Sequence, residues 1–489
     1  MIPPVPALAD YGISPDHGFL PPELPLEVLP DPYYAQWESI VANLQGLLLS
    51  KRLRQTVERL SVLSTEYLHT DAEWRRAYTV LIFMLHGYVW GGDKPAERIP
   101  PQLTIPLFEV CKRLELPPVA TYAGLCLWNY RPIFPDEPAD DLSNICSINT
   151  FTGSMDEQWF YLVSVAIEAR AAPSIPLMLQ AISAARLGHT SVVIECLQDF
   201  AEILDEAGTI LQRMYENCDP HVFYHRIRPF LAGSRNMQDA GLPNGLFYDD
   251  GSGKKEYRQY GGGSNAQSSI IQFFDIVLGI EHRPTGVTRS DRDENASDGA
   301  APKARHNFIH EMREYMPGPH RRFLEHVTSV ANIREYVEAR RSDRALSTAY
   351  DACLAMLREL RDKHIQMVSR YIIIKSRQSR TQSRSISPRR PSAMNIANTK
   401  QGESSNKPGG KKLRGTGGTA LIPFLKQARD ETGEPAIDAW ARRMLSNGPA
   451  GSSFASLGKV DEHADGHIEI VGMAGTWAMD DSEGGICHW

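Results

Sequence analysis

The 489-residue chain has no CxxC pair, no excess of positive charge and few short alternating apolar runs. Each absence excludes a class of protein. The seven cysteines (111, 126, 146, 196, 218, 353 and 487) are odd in number and scattered, which argues for reduced thiols rather than a disulfide framework. Lys and Arg total 52 against 59 Asp and Glu, a net charge of −7, so no global basic field points to nucleic acid or a membrane surface. The most apolar run, "VLIFMLHGYVW" at 80–90, is too short to cross a bilayer as a helix. The opening "MIPPVPALADYG" lacks the basic start and apolar core of a secretory signal. A cytoplasmic location, with no membrane or nucleic-acid partner, is the expectation.

What the chain has is helical periodicity. Segments 35–68, 71–90, 155–186, 188–217, 265–281, 306–329 and 343–375 carry apolar residues at three- and four-residue spacing, so the predicted fold class is all-α. The proline-rich, acidic stretch "YRPIFPDEPADDLSNICSIN" at 130–149 reads as a connection. It divides a small N-terminal helical domain (1–140) from a large helical domain (141–449). Residues 283–305 read as a surface loop. Residues 376–413 are Ser-, Arg- and Lys-rich with almost no apolar content, and too few contacts are available there to offset the entropy of ordering. Between 377 and 414 ten Lys/Arg face one acid, Glu403; this is a solvated linker or an anionic-partner patch. Residues 450–489 are expected to be a disordered extension, and His463 and His467 on so polar a tail are not expected to hold a metal.

The stretch "LRELRDKHIQMVSRYIIIK" at 357–375 places one histidine on an apolar stripe. Cys353, Leu357, Leu360, His364, Val368 and Tyr371 share a face. A histidine there is either a core residue satisfied by a neighbour or a ligand, and the helix alone does not distinguish them.

Three glycine-containing segments add weaker signals. "EYRQYGGGSNAQSSIIQFFDIVLGI" at 256–280 matches a degenerate GxGxxA through Gly261, Gly263 and Ala266. No apolar strand precedes it and no βαβ pattern follows, so the dinucleotide reading fails. A glycine turn feeding a helix that begins near Ser264 or Asn265 remains. "RGTGGTALIPFLKQAR" at 414–429 lacks the GKS/T ending of a phosphate loop and suits a flexible lid or an ordinary loop. In "DPHVFYHRIRPFLAG" at 219–233, Asp219 is a candidate N-cap and Pro220 the first helical residue. Phe223, Tyr224 and Arg228 there suit either an aromatic cage with a carboxylate grip or an amphipathic helix with an exposed arginine. Pro229 is expected to distort or end that helix.

Taken together these segments, with "LELPPVATYA" (114–123), "FYLVSVAIEA" (160–169), "REYMPGPHRRFL" (313–324) and "AYDACLAML" (349–357), resemble the indoleamine 2,3-dioxygenase family from about residue 10 to 432. The resemblance implies a two-domain all-α fold and haem b, ferrous in the active form. It implies oxidative cleavage of the indole C2–C3 bond of L-tryptophan, and of other indoleamines, with O2 to N-formylkynurenine. It makes His364 the proximal haem-iron ligand, with Arg361 and Asp275 as its polar surroundings. It places Tyr122, Ser164, Phe223, Tyr224, Arg228, Leu231, Gly263, Ser264, Asn265 and Thr416 at the substrate, with Ser264 and Thr416 closest to catalysis. Tyr224 stands where other members have phenylalanine, and Asn265 where they have alanine. A monomer is expected. A catalytically weak haem-based oxygen binder on the same fold, or a helical scaffold without cofactor, are the competing readings.

Overall fold

The computed structural model describes residues 3–284, 308–376 and 421–446, together with the backbone of 460–462, 468–472 and 475–478. Over these residues the fold is all-α, as the periodicity predicts. The helices that matter here are α1 (Ala35–Ala42), α2 (Asp71–Trp90), α3 (Pro101–Leu114), α4 (Met155–Ala171), α5 (Ser174–Leu187) and α6 (Thr190–Gln212). They are followed by α7 (Ser269–Val277), α8 (Gly318–Val330), α9 (Arg344–Val368) and α10 (Leu421–Thr432).

Local chemistry decides where each begins and ends. α2 starts in a capping box: Thr70 Oγ1 accepts from Glu73 N–H at 3.2 Å, and Glu73 Oε2 accepts from Thr70 N–H at 2.7 Å. From Ala77 to Trp90 it is buried all round, which marks a core helix. The predicted run 155–186 is split at Pro173 into α4 and α5, and α5 ends at Gly188, whose φ of 76° suits glycine. The apolar stretch Met155–Leu187 is long enough to cross a membrane by length and composition, yet most of it is buried inside the fold. The predicted start near Ser264 is corrected: Asn265–Gln267 forms only a tight turn, and α7 begins at Ser269. Ser268 is the reason, because its Oγ accepts from Ile271 N–H at 3.5 Å and caps the helix. α9 is capped by Asp343, whose carboxylate accepts from Leu346 N–H at 3.1 Å.

Short strands supplement the helices. Arg98–Ile99 pairs in parallel with Leu246–Tyr248, which pairs antiparallel with Tyr257–Arg258. Inside the predicted connection, Tyr130–Pro132 pairs antiparallel with Ile145–Ser147. Beyond residue 450, where no structure is expected, Val460–Glu462, Ile468–Gly472 and Gly475–Ala478 form an antiparallel sheet. The β-branched "IEIV" at 468–471 supplies the local propensity. The candidate loop at 283–305 lies outside the described residues from 285 onward, and the basic insert from 377 onward. The six cysteines among the described residues are free thiols.

Most buried apolar side chains form one cluster from Ile13 to Ala436, shared by residues on both sides of 140, and Val119, Phe308, Met312 and Tyr315 form a smaller second one. The most intimate helix pair of the large cluster is α6 with α9. Within this core α1 is pinned to α2 by a buried ion pair. Arg76 Nε donates to Glu38 Oε1 at 3.0 Å and Arg76 Nη2 to Glu38 Oε2 at 2.5 Å, while Leu29 N–H also donates to Oε1 at 2.9 Å. Removing one partner leaves a buried charge uncompensated. Arg76→Ala should therefore cost about 3–5 kcal/mol, read as a lowered denaturation midpoint; a loss below about 1 kcal/mol would contradict the pairing.

Candidate functional site

A cavity of about 170 Å³ lies among α4, α6, α9 and α10 and three unusual turns. Those turns are π-helical: Ala123–Leu127, Phe223–Ile227 and Ser369–Ile374. Each contributes to the cavity wall, through Leu125 and Cys126, Phe223, and Tyr371 and Ile372 respectively. Such widened turns shift a helix's register and recur at functional sites. Pro229 accompanies the second turn: it has no N–H to complete an ordinary turn with His225, and the wide turn lies directly upstream. The expected distortion is thus present, while the chain continues as a short helix over Arg228–Leu231. Asp219 caps the upstream end, accepting from His221 and Val222 N–H at 2.8 and 3.0 Å.

His364 reaches the cavity from the last turns of α9, with Met367 and Val368 beside it. Burial lowers its pKa to about 4, with the nearby Arg361 charge adding to the effect, so the imidazole is neutral at physiological pH. Among the described residues no group hydrogen-bonds its ring. A neutral, half-buried imidazole open to a cavity has a nitrogen lone pair available to a metal. Among the described residues no three His, Cys, Asp or Glu side chains converge to cage a bare ion. One histidine in an apolar cavity fits the single axial ligation of a haem.

Tyr122, Ser164, Phe223, Arg228, Leu231, Gly263, Ser264 and Asn265 all line this same cavity. Phe223 packs against Phe160 at 4.7 Å between ring centroids and edge-on to Tyr371 at 5.6 Å. Arg228 is 7% exposed, and burial lowers its pKa without neutralising it. Its guanidinium lies 5.5 Å from the ring centroid of Tyr224, which is fully buried and is not part of the wall. Tyr224 is therefore placed as a support for Arg228. Ser264 Oγ accepts from Ala266 N–H at 3.3 Å and keeps its own proton to donate. His225 packs at a tilt against His221, 4.4 Å between ring centroids, and stays off the wall. Thr416 and the 415–419 loop lie outside the described residues.

Gly233 and Gly262 serve close backbone packing, while Gly263 lines the cavity. A Cβ on Gly233 would collide with Tyr260 O, and one on Gly262 with Leu231 O, so two backbones touch here. This contact fixes the wall segment 263–266 against the segment carrying Arg228 and Leu231.

Asp275 and Arg361 are brought together, but neither hydrogen-bonds the His364 ring. Arg361 Nη2 donates to both Asp275 oxygens, at 2.6 and 2.7 Å, and Arg361 Nη1 donates to Thr432 on α10. Two residues escape sequence reasoning: His282 bridges Asp275 Oδ2 (3.0 Å) and Glu431 Oε2 (2.7 Å). Against the cost of burial, Arg361 and His282 hold the Asp275 carboxyl below its usual range, and Asp275 and Glu431 hold His282 above its own. Nothing in the spacing of "GIEHRPTG" signals this bridge. The network clamps α7 and α10 to α9, the helix that carries His364.

Fold and site together define an all-helical protein with one neutral histidine, a buried arginine and packed aromatics around an apolar cavity. The family model for indoleamine 2,3-dioxygenase matches residues 7–435. The indoleamine 2,3-dioxygenase of Saccharomyces cerevisiae is 42% identical over 442 residues, covering 88% of this chain and 93% of that protein. The 6-hydroxytryptophan 2,3-dioxygenase of Fusarium equiseti is 36% identical over 421 residues (86% and 96%), and human indoleamine 2,3-dioxygenase 2 is 33% identical over 436 (88% and 96%). The chain belongs to the indoleamine 2,3-dioxygenase family, a family of haem dioxygenases.

The His282 bridge has a defined pH sign. A raised folded pKa contributes stability that is present below 6.5 and is lost as pH rises through the folded value. His282→Gln should lower stability by about 3 kcal/mol at pH 6 and by clearly less at pH 9. Equal losses in melting temperature at both would exclude a protonated bridge.

Proposed function

We propose that the protein is a haem-dependent dioxygenase that cleaves the indole C2–C3 bond of L-tryptophan with O2, giving N-formylkynurenine, the first step of the kynurenine pathway. The observation that carries this reading is the convergence of His364, Phe223, Arg228 and Ser264 on one cavity. Haem supplies the iron at which dioxygen is activated, and His364 is the residue that would hold it. Everything else falls to the chain. Arg228 grips the substrate carboxylate through charge-assisted hydrogen bonds. Phe223, supported by Phe160, lays an aromatic face against the indole. Ser264 offers a hydroxyl donor at the wall. Leu125, Ile167, Leu231 and Met367 keep water away from the reacting ring.

Among the described residues no carboxylate lines the cavity, and its one histidine is His364. The wall therefore supplies orientation rather than a general base, and the indole nitrogen keeps its proton during oxygen insertion. The competing oxygen-carrier reading leaves Arg228 without a purpose, because binding O2 requires no carboxylate clamp. A relative named for 6-hydroxytryptophan makes ring-substituted tryptophans worth testing alongside the parent amino acid.

The purified protein should show a Soret band that His364→Ala abolishes, and it should convert L-tryptophan to N-formylkynurenine under reducing, aerobic conditions. A Soret band without product would replace the enzyme by the carrier. Arg228→Ala should raise the KM for tryptophan roughly ten- to hundredfold, the worth of hydrogen bonds to a charged group, with the haem spectrum unchanged. Tryptamine, which lacks the carboxylate, should lose a similar factor with the native protein and nothing further with Arg228→Ala.

A further inference from the structure

Glu168 lies on α4 four residues after Ser164, so the two share a helix face. It is 1% exposed and makes no salt bridge among the described residues. Its Oε1 accepts from the Tyr122 hydroxyl at 3.0 Å and from the Ser268 hydroxyl at 2.7 Å, while Oε2 has no hydrogen-bond partner. The groups facing it are Tyr122 and Cys126 from the segment at 122–127 and Ser268 at the cap of α7. Arg170, the nearest cation in sequence, turns to Glu206 and Asp140 at the surface.

Both hydroxyls belong to the pocket's structure. Tyr122 lines the cavity, and its N–H donates to Gln267 Oε1 at 2.9 Å; the Gln267 amide donates to Gly262 O at 2.9 Å. Ser268 closes the loop whose residues 263–266 form part of the wall. One carboxyl thus joins three segments that line the site. A carboxylate receives these hydroxyls as charge-assisted bonds, about twice as strong as neutral ones. A protonated carboxyl receives them weakly, and its own O–H at Oε2 meets no acceptor. Burial pushes Glu168 up to about 7 against the pull of Ser268 and Tyr122, and pushes Tyr122 and Cys126 further above their ordinary values. Of these three groups Glu168 is the one that changes charge near neutral pH.

We propose that Glu168 is a positioning residue of the pocket: ionised, it ties Tyr122 and Ser268 together behind the wall, and taking up a proton loosens that tie and the grip on the bound amino acid. The consequence for the amino acid rests on the dioxygenase reading; the tie itself does not.

The test compares the full chain, as purified, with Glu168→Gln and Tyr122→Phe. Glutamine keeps the Oε1 acceptor and the shape but cannot change charge. Because the folded pKa is raised, the carboxyl's contribution to stability is present at acid pH and is lost as pH rises from 4.5 to about 7. Glu168→Gln should therefore melt with wild type near pH 5 and above it at pH 8. Infrared difference spectra, wild type minus Glu168→Gln, should show a protonated-carboxyl band that fades with a midpoint near 7. Tyr122→Phe should move that midpoint to higher pH, since one hydroxyl that favours the ionised form is gone. The KM for L-tryptophan should fall roughly fivefold between pH 6 and 8, the effect of one strengthened hydrogen bond, with little change in kcat; Glu168→Gln should flatten that profile. Identical pH dependence of melting in wild type and Glu168→Gln overturns the proposal. So does a KM profile that the amide leaves unchanged. Absence of turnover in every variant would count against the dioxygenase reading, while melting and infrared would still decide the tie.

Discussion

An imidazole drawn out of water is costly unless it finds a partner, and the protein holds two such rings in different ways. His86, 3% exposed in α2, is satisfied: Ala120 N–H donates to its Nε2 at 2.8 Å, which fixes the proton on Nδ1 to donate to Phe230 O at 2.6 Å. Its pKa is likewise pushed down to about 4 by burial, so it is a neutral structural bridge between α2 and the Arg228–Leu231 segment. His364 has the same depressed pKa and no such bridge. The rest of the site is arranged around that ring: the cavity stands against it, and Asp275 and Arg361 pair with each other rather than with the imidazole.

The charges are arranged accordingly. Asp275, Arg361, His282 and Glu431 neutralise one another just outside the cavity, where their mutual pairing offsets the cost of burial. None of the four lines the cavity. Their position clamps α9 between α7 and α10, one turn before His364, so the electrostatic stabilisation is delivered as mechanical support. In contrast, Arg228 is placed in the wall itself, above the ring of Tyr224. Tyr224 is buried behind the wall and puts an aromatic face beneath the cation.

Much of this was legible in the sequence where periodicity or capping chemistry speaks. The stripe Cys353, Leu357, Leu360, His364, Val368 and Tyr371 is the buried face of α9 and the wall that continues it. Asp219, Pro220 and Pro229 mark one helix's start and its distortion. What the pattern does not show is the change of pitch. At 3.6 residues per turn, residues 369–374 extend α9 smoothly, whereas they form a wider π turn that brings Ile372 to the cavity beside Tyr371. Long-range partners were also hidden: His282 meets Glu431 across 149 positions, and no local signal joins them. Glu168 did carry a signal, four residues from Ser164 on one face, but an acid on a helix is ordinarily read as solvent-facing. Ser264 and Ser268 are both plausible caps in the sequence; the Ser268 cap, the bonds of Gln267 to Tyr122 and Gly262, and the close backbone approach at Gly233 and Gly262 together keep residues 261–267 out of α7.

The three π turns explain why such a site needs several elements rather than one. An ordinary helix repeats its lining every three or four residues, so a helix wall offers only a stripe. A single wide turn inserts one residue and breaks the stripe at one place, which turns a neighbouring side chain to a face it would otherwise miss. Here Cys126, Phe223 and Tyr371 each sit within such a turn, and they reach the cavity from three separate segments. Each break sacrifices regular backbone hydrogen bonds, so it persists only where flanking contacts over-determine the chain. Tyr371 shows how: its hydroxyl donates to Cys218 O at 2.5 Å, just before the segment bearing Phe223, so the wide turn at the end of α9 holds the one around Phe223 in place. The aromatic wall and the histidine helix are thereby set by one another.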